Sequence, residues 1–170
     1  VPGAVITWTG SVAGIFQSGV DAPLTYGMVA TLPTMPTLTS GGETVLYDLT
    51  GNTLTAYVGT KSAETTVFTF SITDTATGAA NFALGPLPLD HADTDDGENV
   101  TDIVVNLGAL VQATDADGDT VTAAADKVQV TIDDDSPTAT GTAVTFTVDE
   151  DGLSGGIAGG TNCLLYTSPS

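Results

Sequence analysis

Apolar residues recur at every second position along much of the chain, which is the pattern of β-strands with one buried face. Residues 45–49 and 54–58 both show this alternation, and Thr50-Gly51-Asn52 separates them. Two alternating runs joined by a short turn that contains glycine are typical of a β-hairpin. The sequence therefore predicts a hairpin over residues 45–58.

A second hairpin is predicted directly after the first. Phe68, Phe70 and Ile72 share one face of an alternating run, and Phe82 and Leu84 follow a turn-forming stretch at residues 74–78. We expect both hairpins to place their apolar faces on the same core. Each large apolar side chain that becomes fully buried there contributes about 1.5–3 kcal/mol.

Shorter runs of the same kind predict the remaining strands. These runs lie at residues 5–8, 24–28, 103–107, 111–113, 120–122, 128–132 and 144–148. Residues 32–36 contain two prolines, which remove donors from a β-ladder, so they are predicted to form a loop or an edge. Residues 85–99 show no periodicity and are predicted to be a loop.

The composition supports an all-β fold. Thr, Val, Gly and Asp dominate, while the strong helix formers Lys, Arg, Gln and Glu are scarce. We predict an all-β antiparallel β-sandwich that spans residues 1–137 and is truncated at its N-terminus. Pro137 and the acidic run before it are predicted to end this module. Residues 138–160 are predicted to form the first strand and an acidic loop of a further unit. Residues 161–170 match the pattern of neither unit.

The charge of the chain limits what it binds. The sequence has 21 acidic residues against two basic ones, for a formal net charge of −19. Nucleic-acid binding depends on Lys and Arg, and an anionic membrane surface would repel this chain. No run reaches the roughly 18 apolar residues of a membrane-spanning helix. The single cysteine, Cys163, allows no intrachain disulfide. The charge therefore points to metal cations as partners.

The densest candidate site is the sequence Thr114-Asp115-Ala116-Asp117-Gly118-Asp119-Thr120. Its three carboxylates offer hard oxygen ligands of the kind that Ca²⁺ prefers. An EF-hand is excluded, because glycine falls at position 4 instead of 6 and the flanks lack helical periodicity. We predict a calcium loop between two strands with Asp115, Asp117 and Asp119 as ligands. The alternative is a solvated turn, because Asp and Gly are common turn residues.

Two other acidic runs are candidate ion sites. The first is in the loop after residue 85, where Asp90, Asp93 and Asp95 are the predicted ligands, with Asp96 and Glu98 nearby. The second consists of Asp133, Asp134 and Asp135 at the end of the module, where a calcium ion would join one sandwich to the next. Asp149, Glu150 and Asp151 would do the same for the following unit. Alternatively, each run is a solvated acidic loop that binds no ion.

Catalysis is not expected. His91 is the single histidine, and no Ser or Cys nucleophile motif accompanies it, so we predict a structural role for it. The carboxylates cluster with glycine in loops, which is typical of ion ligands. A glycosidase would instead need two carboxylates that face each other across a sugar cleft.

A ligand-binding module is an alternative function for this chain. In that case aromatic side chains near a calcium site would bind carbohydrate, with the candidates Trp8, Tyr26, Tyr47 and Tyr57. At strand spacing, however, such residues more often pack across strands.

Four motifs occur in an order that resembles the tandem repeats of giant bacterial adhesins. They are Leu87-Pro88-Leu89-Asp90-His91, the loop at residues 114–120, Val-Thr-Ile-Asp-Asp-Asp-Ser-Pro at 130–137 and Val-Asp-Glu-Asp-Gly-Leu at 148–153. Such repeats belong to RTX-type adhesins and biofilm-associated proteins exported by type I secretion.

The resemblance implies immunoglobulin-like or cadherin-like extender modules on the bacterial surface, with calcium at loops and module junctions. It implies neighbouring repeats of the same chain as partners, and cell surfaces or surface glycans as partners of other domains. An accessory repeat of a secreted RTX toxin or enzyme is the alternative within that group. Residues 85–91 read Gly-Pro-Leu-Pro-Leu-Asp-His, which departs from the usual Gly-Pro-Leu-Asp-His of these repeats by an additional Leu-Pro. Residues 161–170 resemble translated adaptor sequence.

Overall fold

A computed structural model describes residues 6–91 and 102–133, together with Gly141 and Ala143. Within these residues the chain forms twelve short strands and three single-turn 3₁₀ helices. The strands are β1 (Thr7–Ser11), β2 (Thr25–Met28), β3 (Thr39–Ser40), β4 (Glu43–Thr44), β5 (Leu46–Thr50), β6 (Thr53–Tyr57), β7 (Thr66–Asp74), β8 (Ala79–Leu84), β9 (Ile103–Asn106), β10 (Val111–Thr114), β11 (Thr120–Thr122) and β12 (Gln129–Ile132). The 3₁₀ helices are Ala13–Ile15, Gly108–Leu110 and Ala125–Lys127.

The largest sheet is antiparallel and has the strand order β1-β8-β7-β6-β5. Both predicted hairpins are confirmed in it. β5 and β6 pair from Leu46 opposite Tyr57 to Thr50 opposite Thr53, so only Gly51 and Asn52 form the turn. Gly51 has a positive φ of 57°, which glycine adopts without the steric cost of a side chain. β7 and β8 form the second hairpin.

The other strands form three smaller antiparallel sheets. β10 lies between β11 and β2, β12 pairs with β9, and β3 pairs with β4. The pairing of β2 with β10 joins segments far apart in sequence, with Met28 opposite Val111 and Thr25 opposite Thr114. This pairing positions the candidate site described below.

One hydrophobic core contains residues from the five-stranded sheet and from the smaller sheets. Its largest fully buried side chains are Phe68, Phe70, Leu54, Leu107, Leu110, Val67, Val105 and Val111. The Phe68 ring lies 5.3 Å from that of Phe82, measured between ring centroids. The predicted antiparallel β-sandwich is therefore confirmed, with the expected apolar faces inside.

The first strand differs in its bounds from the prediction of residues 5–8. β1 begins at Thr7 and continues to Ser11, because Gly10 and Ser11 pair with Ala80 and Ala79 of β8. The alternation ends at Trp8, so the sequence pattern does not mark the second half of this strand. Residues 32–38 form no strand, as the two prolines predict.

The chain divides into two units, Val1–Ser136 and Pro137–Ser170. All the strands above belong to the first unit. The predicted strand at residues 144–148, the predicted further unit at 138–160 and the predicted tail at 161–170 lie outside the described residues, except for Gly141 and Ala143.

Candidate metal site

The predicted calcium loop connects β10 to β11 and is closed by its own first aspartate. The Asp115 carboxylate oxygen Oδ1 accepts hydrogen bonds from the backbone amides of Asp119 at 2.8 Å and Gly118 at 3.1 Å. The Asp115 amide donates to the Asp119 carbonyl at 3.0 Å. Gly118 has a φ of +100°, which residues with a Cβ rarely adopt. These bonds and this glycine give the loop its tight curvature.

The loop also contacts the segment that leads into β2. The Ala116 amide donates a hydrogen bond of 3.1 Å to the Asp21 carbonyl oxygen. The Thr25 hydroxyl donates one of 3.2 Å to the Thr114 carbonyl oxygen. Both contacts follow from the pairing of β2 with β10, which brings the start of one strand beside the end of the other. Asp21 therefore lies beside the aspartate loop.

Three carboxylates converge at this point. Single carboxylate oxygens of Asp21, Asp115 and Asp117 all lie within 4.8 Å of one another. Asp21 and Asp117 are exposed, and Asp115 is partly exposed. Three negatively charged oxygens at this spacing can coordinate one metal ion, with water completing the coordination shell. Within residues 6–91 and 102–133, this is the one group of three or more potential metal ligands that meets this distance.

The protonation of the loop reflects the crowding of its carboxylates. A hydrogen bond between the Asp115 and Asp117 side chains lowers the pKa of Asp115, and backbone amides lower it further. The same bond and the nearby Asp115 charge raise the pKa of Asp117. The raised pKa of Asp117 reflects the unfavourable proximity of the two carboxylates. A divalent cation bound between them would offset that repulsion.

Two of the three ligands predicted in this loop belong to the cluster, and the third does not. Asp115 and Asp117 are in it, whereas the exposed Asp119 side chain lies outside the group. Asp119 contributes to the loop through its backbone amide and carbonyl. The cluster instead includes Asp21, which sequence reasoning missed.

Asp90, also predicted as a ligand, contacts a turn of the backbone. Its carboxylate oxygens accept hydrogen bonds from the amides of Gly41 at 2.7 Å and Gly42 at 2.8 Å. These amides, with that of Gly42 first, lower the pKa of the Asp90 carboxyl. The Asp90 amide donates to the Thr39 carbonyl at 2.9 Å. Asp90 thus holds the turn between β3 and β4, and a role in ion binding stays a prediction.

The remaining predicted ligands are separate from the cluster or outside the described residues. Asp133 is exposed directly after β12 and is not a member of the group. Asp93, Asp95, Asp134 and Asp135 lie outside the described residues, as do Asp96 and Glu98. His91 places its ring nitrogen Nε2 3.2 Å from the Ile132 carbonyl oxygen, which connects this loop to β12.

The four aromatic residues that could bind carbohydrate have different environments. Tyr26 packs on Phe16, with 6.1 Å between ring centroids. Tyr47 donates its hydroxyl to the Pro36 carbonyl at 2.8 Å, and burial raises its pKa to about 12. Tyr57 is partly buried in β6. Trp8 differs from all three, because half of it is exposed, at 50%.

Comparisons with known proteins identify a family but no function. Residues 9–127 match the family model described as a domain of unknown function (DUF5801). No curated protein and no solved structure matches the chain. The helices in the described part of the chain are single turns, and none could cross a lipid bilayer.

Proposed function

We propose that this chain, which belongs to the DUF5801 family, is a calcium-binding β-sandwich module that acts as a structural spacer in a secreted or cell-surface bacterial adhesin. The observation that carries the proposal is the convergence of Asp21, Asp115 and Asp117 within 4.8 Å. Two of these residues lie in one loop, and the third comes from a segment far away in sequence.

Calcium fits the chemistry of this cluster better than the other common protein-bound metals. Carboxylate oxygens are hard ligands, and no His or Cys takes part, which disfavours zinc and copper. Magnesium demands near-ideal octahedral geometry, whereas calcium accepts six to eight oxygens in flexible arrangements. An exposed site with three carboxylates and access to water suits the larger ion.

Such an ion would stabilise the fold at a specific place. It would join the segment before β2 to the loop between β10 and β11, both of which flank the pairing of β2 with β10. It would also offset the repulsion among three carboxylates in a chain with a formal net charge of −19. Because only the folded chain assembles the three ligands, calcium would favour the native state.

The spacer role rests on charge and on the repeat motifs. The four motifs resemble those of tandem adhesin repeats, and further acidic runs at residues 133–135 and 149–151 would bind ions at module junctions. Extracellular calcium modules have dissociation constants of about 10⁻⁴–10⁻³ M, so such sites fill outside the cell. Neighbouring repeats of the same chain are then the main partners, and calcium makes the array rigid after export.

Thermal unfolding with and without calcium tests this proposal. We expect a higher midpoint in millimolar calcium than in chelator, corresponding to about 1–3 kcal/mol per site when calcium is ten to a hundred times its dissociation constant. Magnesium at the same concentration and ionic strength is the control and should give a smaller shift. An equal midpoint in calcium and in chelator would contradict the proposal.

A further inference from the structure

A cleft separate from the acidic cluster opens between the first strand and the last described strand. Its volume is about 420 Å³, within the range of small-molecule sites. The buried rings of Phe70 and Phe82 contribute to its lining, together with Val130 of β12. Trp8 and Lys127 also line it. None of the three clustered aspartates belongs to this cleft.

The indole ring of Trp8 packs against Gly10, two positions later in the chain. A Cβ atom at Gly10 would lie only 2.1 Å from Cζ2 and 2.4 Å from Cη2 of the Trp8 indole. The six-membered ring therefore lies directly on the backbone of Gly10, where no other residue would leave room. Trp8 is nevertheless 50% exposed and lines the cleft, so part of its side chain is accessible to a ligand. An accessible indole ring can stack on a flat apolar ligand.

Lys127 provides a positive charge at the same cleft. The chain has two basic residues, and Lys61 pairs with Asp48 at 2.6 Å. Among the described residues, no carboxylate lies within 4.0 Å of the Lys127 ammonium group. Lys127 is also exposed, so its charge is accessible to a ligand that carries a carboxylate.

Residues of β12 form one wall of the cleft. Gln129 and Thr131 alternate along this strand with Val130, and the Gln129 amide nitrogen Nε2 donates a 2.9 Å hydrogen bond to Asn106 of the paired strand β9. Their side chains therefore lie on the face of β12 opposite to Val130, so these two residues contribute backbone groups to the wall. An apolar platform with a few fixed polar groups is the usual composition of a small-ligand site.

We propose that this cleft binds an acidic saccharide, meaning a sugar chain that carries a uronate carboxylate. The apolar C–H face of a pyranose ring would stack on Trp8, while its carboxylate would pair with Lys127. The net negative charge of the chain does not prevent this, because salt screens exposed charges beyond about 8 Å at physiological ionic strength.

The fluorescence of Trp8 can be used to measure binding, because Trp8 is the single tryptophan of the chain. Its fluorescence is followed during titration with cellobiouronic acid, a disaccharide with one carboxylate, and with cellobiose, its neutral counterpart, at constant calcium. We expect a saturable spectral shift with the acidic sugar and binding about three- to tenfold weaker with the neutral one. Equal affinity for both sugars, or no shift with either, would overturn the proposal.

Two pairs of variants test whether the sugar binds at Trp8 and Lys127. Lys127→Gln should weaken binding of the acidic sugar about three- to tenfold, whereas Lys61→Gln, which removes the other lysine, should leave it unchanged. Gly10→Ala should weaken binding of both sugars, because its methyl group displaces the Trp8 ring, whereas Gly14→Ala meets no atom within 4 Å. Circular dichroism checks that all four variants fold. Equal effects within either pair would contradict the assignment.

Discussion

The backbone amide of Ala116 donates a 3.1 Å hydrogen bond to the carbonyl oxygen of Asp21. This bond connects the aspartate loop after β10 to the segment before β2 and brings the Asp21 carboxylate beside those of Asp115 and Asp117. The candidate ion site therefore depends on the pairing of β2 with β10, and the pairing should in turn be strengthened by the ion.

Asp21→Asn should remove most of the calcium-dependent stability. The variant keeps the backbone bond to Ala116 but loses one of the three converging charges, so calcium affinity should fall. We expect the calcium-dependent gain of about 1–3 kcal/mol to shrink to a fraction of that value in thermal melts.

Asp126→Asn is the matched control for Asp21, because it removes one exposed carboxylate outside the cluster. Its midpoint should rise with calcium as the wild type does. If Asp126→Asn and Asp21→Asn lost the same calcium response, net charge instead of a specific site would explain the effect.

Asp119→Asn distinguishes between two sets of ligands. The set predicted from the sequence includes Asp119, whereas the cluster found in the structure does not. The Asp119 side chain lies outside the group of three, and the loop uses its backbone atoms. The variant should therefore keep most of its calcium affinity in isothermal titration calorimetry, whereas Asp117→Asn should lose it. A loss in Asp119→Asn as large as that in Asp117→Asn would show that Asp119 is a ligand.

Gly118→Ala should destabilise the loop directly. A φ of +100° is strained for alanine, and the strain should cost about 1–3 kcal/mol or force the loop to change shape. The Asp115 carboxylate would then lose amide partners, so both chemical denaturation and calcium titration should report the change. Gly14→Ala is the control, since its Cβ meets no neighbouring atom and its φ is not positive. A stable Gly118→Ala variant with unchanged calcium affinity would contradict this role.

Asp90 should stabilise the fold in a pH-dependent way. Its pKa is lowered from 3.8 by the Gly42 amide first, so its contribution is fully present above pH 3.8 and disappears as the pH falls through the lowered value. Asp90→Asn replaces an acceptor oxygen by an amino group that faces a backbone donor, so it should unfold more easily at neutral pH.

The difference in midpoint between Asp90→Asn and wild type should vanish in acid, where both side chains are uncharged. If Asp90 acts only through its bonds to the two backbone amides, the difference will also be the same in calcium and in chelator. A variant that loses its calcium response instead would identify Asp90 as an ion ligand.

The sequence pattern predicted the two hairpins well because each hairpin pairs residues that are close in sequence. Alternation and a short glycine-containing turn determine which residues of 45–58 pair, and the buried Leu54 and Ala56 agree with that pattern. The pattern predicted less of β1, because Gly10 breaks the alternation for a reason that only packing reveals. Its missing side chain makes room for the Trp8 ring.

The candidate site was only half predictable for a related reason. Asp115 and Asp117 are close in sequence, and their spacing with Gly118 indicates a ligand-like loop. Asp21 is a lone aspartate before Ala22 and Pro23, and nothing local distinguishes it from a solvated loop residue. Its position beside Asp115 and Asp117 follows from the long-range pairing of Thr25 with Thr114, which alternation does not specify.

Anomalous scattering from crystals grown in calcium tests the central claim most directly. The account predicts an anomalous difference peak between Asp21, Asp115 and Asp117, with carboxylate oxygens about 2.3–2.6 Å from the ion. Crystals of Asp21→Asn grown in the same way should lack that peak. Wild-type crystals in saturating calcium with no peak among these three carboxylates would contradict the account.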